Sequence, residues 1–208
     1  NETAVLSLPP FDVTPSDSKG FIRCTVEKPG RFRFDSGDVF FPLGEVLWKG
    51  GPRHTADPVG YFEKNMDEAA PFGLNSFRFF IGHTSGLPIR NARCGPDRMD
   101  LAASRNLDHL LEAAESRGFH LNLGVEIWNE VRSTPPYAAW SSHPYNRANG
   151  GPCDRPRDTF SDPEARRLYR EFLRYLLARW GHSTSLFLVQ FQGEAEYTED
   201  YDFAVGRD

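Results

Sequence analysis

From Val39 onward the chain alternates short apolar runs with stretches of helical period, and each stretch sits between a start and a stop signal. Val39–Gly44 is the first run. Asp57-Pro58 then opens a helix, Asp as N-cap and Pro at the first helical position. Phe62, Met66 and Ala69 follow at helical spacing, and Gly73 closes it. Asn75–Ile81 is the second run. Leu107, Leu110, Leu111 and Ala114 form the inner stripe of a second helix, ended by Gly118. Phe119–Ile127 is the third run, apolar nearly throughout, as in a strand buried on both faces. The third helix is marked by Ser161 and Glu164, spaced as a capping box. Leu168, Phe172 and Leu176 form one row of it, with Tyr169, Leu173 and Trp180 alongside, and Gly181 is the stop. Ser185–Phe191 is the fourth run. Four strands alternating with three helices predict a parallel α/β sheet.

Two architectures satisfy that alternation. A doubly wound sheet wants a glycine-rich phosphate turn after its first strand, and Gly44-Glu45-Val46-Leu47-Trp48 has no such pattern. A (β/α)8 TIM barrel carries its chemistry on the loops after the strands, and here those loops are the polar, aromatic-rich ones. The barrel fits better. Eight strands take about 250 residues, so residues 31–208 are expected to hold about four strands, the first half of a barrel. Short β segments precede it. Phe21–Val26 and Phe32–Phe34 alternate around turns, and residues 1–30 are expected to be a linker or the end of a β-sandwich-like domain. Residues 132–160 show no periodicity, and unstructured segments of that length are commonly functional.

The 24 Lys and Arg against 29 Asp and Glu leave a net charge of −5. That argues against a nucleic-acid groove, which needs clustered positive charge. No run approaches the roughly 18 apolar residues of a membrane helix. Three widely spaced cysteines make no disulfide framework, and the six histidines lack metal-site spacing, so no metal and no cofactor are expected. What gathers at the strand ends is different: Glu45 and Trp48 after the first, Arg78 and His83 at the second, Trp128, Asn129 and Glu130 after the third, and Gln190, Gln192, Gly193, Glu194 and Glu196 at the fourth. Tryptophan faces stack on pyranose rings, amides and arginine hold hydroxyls, and a carboxyl group can protonate a glycosidic oxygen. The set suits a carbohydrate substrate. Trp140 and Tyr145 are expected to be exposed loop aromatics, His120 to be structural, Trp180 to be core, and Arg166, Arg167, Arg170 and Arg174 to form a solvated helix face.

The stretch His143-Pro144-Tyr145-Asn146, Asn149-Gly150-Gly151-Pro152, Phe160-Ser161-Asp162-Pro163-Glu164 and Ala178-Arg179-Trp180-Gly181 resembles a bacterial group of cellulase-like glycosidases of the clan A glycoside hydrolase type. Gly73-Leu74-Asn75-Ser76-Phe77-Arg78 and Phe41-Pro42-Leu43-Gly44-Glu45 follow the same pattern. The resemblance implies a (β/α)8 barrel behind an Ig-like domain, a retaining mechanism, and Glu194 as general acid/base at the end of the fourth strand. It also implies that Arg78 positions the catalytic carboxylates, and that the protein is secreted or held at the cell envelope. Glu45, Trp48, Trp128, Asn129, Tyr145 and Asn149 are the further substrate-binding candidates, and Glu130 is the second candidate acid. Two departures stand out. The Asn that precedes the acid in this group is Gly193 here, and its Trp-Glu is Val189-Gln190. Its nucleophile lies on a seventh strand, so the 208 residues alone are expected to be an inactive, self-associating fragment. The alternatives are a carbohydrate-binding pseudoenzyme with a decayed motif, and an unrelated α/β hydrolase or isomerase.

Overall fold

The computed structural model describes residues 12, 15–25, 30–47, 56–83 and 86–198. They fall into two compact units, one ending at Phe40 and one beginning at Phe41. In the first, strands β1 (Ile22–Cys24), β2 (Phe32–Phe34) and β3 (Val39–Phe40) form an antiparallel sheet in that order. Asp35 ties its turn, accepting from the Phe21 amide at 2.9 Å and from Arg23 Nε at 2.9 Å.

The second unit holds a four-stranded parallel sheet ordered β4 (Gly44–Val46), β5 (Ser76–Phe80), β6 (His120–Ile127) and β7 (Leu186–Gly193). The first apolar run therefore divides. Val39–Phe40 pairs backward with β2, Pro42 interrupts the ladder, and Gly44–Val46 starts the parallel sheet. Pro42 has no amide hydrogen to donate, which is why one strand cannot run through it.

Helix α1 (Pro58–Ala69) starts as expected, with Asp57 Oδ1 accepting from the Gly60 amide at 2.9 Å. A 3-10 turn over Ala70–Phe72 extends it to Gly73, whose φ of 79° ends it. Helix α2 (Leu101–Arg117) is capped by Asp100 and ends at Gly118, φ 69°. A short α3 (Asp158–Ser161) precedes α4 (Pro163–Trp180). The expected capping box at Ser161 does not form. Asp162 caps α4 instead, accepting from the amides of Glu164 and Ala165 at 2.9 Å each. Ser161 already belongs to α3, and Pro163 at the first helical position favours the residue just before it as the cap.

One face of the sheet takes all three long helices. Phe77 and Phe79 of β5 and Leu121, Leu123 and Val125 of β6 share a core with Phe62 and Met66 of α1, Leu107, Leu110 and Leu111 of α2, and Phe172, Leu176 and Trp180 of α4. Trp180 also donates from its indole to Asp108 at 2.7 Å. The alternate residues Ser76, Arg78, Phe80, Asn122 and Gly124 face the other way. Strands in sequence order with helices on one face are the arrangement of a barrel opening. A doubly wound sheet reverses its strand order and covers both faces. No helix among the described residues is long and apolar enough to cross a membrane.

Candidate active site

The C-terminal end of the sheet gathers three groups. The first is closed. Glu126, near the end of β6, is 1% exposed. Its carboxylate pairs with the buried Arg90 guanidinium, and Oε1 accepts from His143 Nε2 at 3.0 Å. His143 Nδ1 accepts from the Tyr145 amide at 3.0 Å, so the ring is the neutral tautomer that donates from Nε2. Arg90 lies over the rings of Tyr145, Phe172 and Tyr169 at 4.5, 4.8 and 5.3 Å. Burial alone would push the Glu126 carboxyl up, but Arg90 and His143 outweigh it and hold it at about 2. Burial pushes His143 down to about 4. Burial likewise drives the Tyr145 phenol up to about 12.

Beside this lies Glu130, fully buried under the turn Trp128–Val131. Its Oε2 accepts from the Ile127 amide at 3.3 Å, and its Oε1 is 3.7 Å from His83 Nδ1. His83 Nε2 donates to the Ala139 carbonyl at 3.1 Å, and its ring meets His143 edge-on at 4.9 Å. A Cβ on Gly82 would sit 1.9 Å from the Glu130 carboxylate. Only glycine lets that backbone pass.

The third group is open. Glu194 follows β7 with φ 54°, ψ 49°, left-handed for a residue with a side chain, and it is exposed. Arg78 lies over the Phe80 ring at 4.9 Å, and its Nη2 is 3.3 Å from where Gly193 would carry a Cβ. The structure thus brings Arg78 to the residue before Glu194. Trp128 stands nearby between Tyr137 and Tyr197, with ring centroids 6.0 and 6.1 Å away.

Other sites fall elsewhere. Glu45 pairs level with Phe77, on the helix side of the sheet and away from Arg78. Tyr145 and Trp140 are 0% and 5% exposed, so the expectation of exposed loop aromatics is corrected for both. They share a small core with Cys153, Ala165 and Leu168. Asn149 fastens its loop, donating to the carbonyls of Ser141 and His143 at 2.9 and 2.8 Å. Asn129 accepts from the Ala139 amide at 3.0 Å. Trp48 lies outside the described residues. His120 Nδ1 meets the Thr184 carbonyl at 3.2 Å, a structural contact. No cluster of histidine, cysteine and carboxylate groups among the described residues could hold a metal.

Arg90 and Glu126 were not singled out from sequence, and His143 was named only as the start of the matching stretch, with no role. Glu126 had one usable signal, a lone charge inside a buried apolar strand, which must be paired to be tolerated.

No family model matches the chain, and no curated protein does. Solved structures do. A candidate glycoside hydrolase of Bacteroides vulgatus superposes with TM-score 0.62 at 14% identity, over 93% of this chain and 36% of that one. The endo-1,4-β-mannanase of Rhizomucor miehei gives 0.59 at 12% identity, over 88% and 52%. The fold matches part of the TIM barrels of these two glycoside hydrolases. The exo-β-1,4-mannosidase of Opitutaceae bacterium strain TAV5 matches at TM-score 0.52 and 19% identity, over 86% of this chain and 28% of that one. This chain spans between 28% and 52% of the length of these three chains.

Proposed function

We propose that these residues form the acid/base half of a retaining glycoside hydrolase, with Glu194 as general acid/base. The observation that carries this is the place of Glu194: exposed at the C-terminal end of the fourth strand of a sequentially ordered parallel sheet, held in a left-handed backbone beside Arg78. In a barrel that end is where chemistry is done. A retaining enzyme sets a second carboxylate about 5–5.5 Å from the acid. That nucleophile would come from a later strand of the complete barrel, so the half-barrel by itself would not turn over substrate. The mannosidase and mannanase among the structural neighbours favour a β-1,4-linked mannan as substrate.

The test is Glu194→Gln in a protein carrying the complete barrel. The first turnover of an oligosaccharide, whose sugar leaving group must be protonated, is expected to fall about 10²–10⁴-fold. The first turnover of a dinitrophenyl glycoside, whose leaving group needs no proton, is expected to fall far less. Equal loss on both, or loss on neither, overturns the assignment.

A binding-only role is the second reading, and one observation favours it. Where an asparagine would precede the acid, a Cβ on Gly193 would meet the Phe80 ring at 2.8 Å. Phe80 and Arg78 fill the space of a side chain that would hold the sugar 2-hydroxyl. Under that reading the complete barrel binds oligosaccharide saturably and releases no product.

A further inference from the structure

We infer a sugar-stacking subsite on the rim beside Glu194, formed by the exposed rings of Tyr137 and Tyr197 braced on Trp128. It takes a neutral pyranose of a β-linked oligosaccharide, and it rests on the carbohydrate reading above. Tyr137 and Tyr197 come from separate segments, one after β6 and one after β7, and both converge on the same indole. Their rings stand at 84° and 61° to it, yet they remain 72% and 57% exposed. Rings gathered only for packing would hide more of their apolar faces.

The backbone beneath them is fastened. The Ala139 amide donates to the carbonyls of Asn129 and Arg132 at 3.0 and 3.1 Å, folding the loop of Tyr137 back on the turn of Trp128. Arg132 donates from Nε to the Thr134 carbonyl at 2.8 Å and from Nη1 to the Tyr197 carbonyl at 3.3 Å, and lies 5.6 Å from the Trp128 ring. One arginine thereby ties all three aromatic segments together. Tyr137 (φ 71°) and Glu194 (φ 54°) are the two non-glycine residues with positive φ among the described residues. Such strain persists only where the surroundings impose it, and it gathers at ligand sites.

The chemistry of the surface selects the ligand. A pyranose presents a C–H face that lies on an aromatic ring and equatorial hydroxyls that reach the phenol oxygens. Glu196, on the same turn as Tyr197, and Glu194 at its start disfavour a uronic acid. The Tyr197 amide bonds the Glu194 carbonyl at 3.0 Å, so a sugar held here lies next to the one at the acid.

The experiment is a titration of the 208-residue chain with mannopentaose, cellopentaose and pentagalacturonate, read by saturation-transfer NMR and tryptophan fluorescence. Saturable binding of a neutral pentaose and none of the galacturonate is expected. Tyr137→Ala or Tyr197→Ala should weaken it about threefold to tenfold, the scale of one lost aromatic contact. Tyr137→Phe should retain binding. Phe72→Ala, removing an equally exposed ring from the opposite end of the sheet, should leave it unchanged. Circular dichroism confirms that each variant folds. No saturable binding of either neutral pentaose, or binding that neither tyrosine variant alters, overturns the subsite. The paired first-turnover rates of Glu194→Gln in the complete barrel test the acid, and the tyrosine variants test this binding, so the two proposals fail separately.

Discussion

The ends of β6 and β7 are neighbours in one sheet, yet they solve opposite problems. At β6 the carboxylates Glu126 and Glu130 are sealed from water and surrounded by Arg90, His143 and His83. At β7 Glu194 stands in solvent on a strained turn. A buried carboxylate must be matched where it sits, and once matched its proton affinity is fixed by the partner. An exposed one keeps its freedom to take its environment from whatever closes over it. The first arrangement holds the rim together; the second is the one that the proposed acid/base role requires.

The largest effect is expected from breaking the sealed end. Arg90→Leu leaves Glu126 buried without its cation, and the expected loss of stability is about 3–5 kcal/mol. Urea melts measure it. The double variant Arg90→Leu, Glu126→Leu should recover much of that loss, because an apolar pair no longer demands compensation. If the single variant costs under about 1 kcal/mol, the β6 end is not the sealed centre described here.

The next effect is on pH. The folded His143 holds its proton only below about 4, against an ordinary value of 6.5, so the unfolded chain binds more protons between those values. Stability therefore rises with pH across that window and falls on acidification, by about 1.4 kcal/mol per pH unit at most. Glu126, depressed from 4.5 to about 2, acts in the same direction at lower pH: its stabilisation is complete above 4.5 and is lost as pH falls toward 2. Thermal melts from pH 7 to 4 should show this acid sensitivity, and His143→Gln should flatten it. A melt temperature that does not change over that range contradicts a neutral, buried His143.

The contrast between the two ends also explains what could be read from the sequence. The strand–helix alternation, the Asp57-Pro58 cap and the glycine stops at Gly73 and Gly118 were legible because each is local chemistry. The strand-end position of Glu194 was legible because the residues leading up to β7 carry a pattern. The division of Val39–Gly44 between two sheets depends on strand partners far along the chain, and no window around Pro42 shows them. Arg90 sits in a segment without periodicity, 36 residues from the carboxylate it meets. Tyr145 looked like a loop aromatic because loops are usually exposed. Its burial arises only when Arg90 and α4 close over it.

The smallest effect tests the open end, and its sign carries the information. Glu194 holds φ 54° without a glycine's freedom, a conformation that costs roughly 1–2 kcal/mol for a residue with a Cβ. Part of that is returned when glycine is introduced, because glycine also loosens the unfolded chain, so Glu194→Gly should gain about 0.5–1 kcal/mol. Glu194→Gln keeps the Cβ and the exposure, and should change stability by less than about 0.5 kcal/mol. Paired denaturant melts of the two variants separate backbone from carboxyl. A stabilising glycine beside a neutral glutamine means the fold bears strain to hold a side chain it does not need for stability. A residue kept for chemistry behaves this way. If glycine instead destabilises, the side chain is making contacts that hold the turn, and the β7 end is structural like its neighbour.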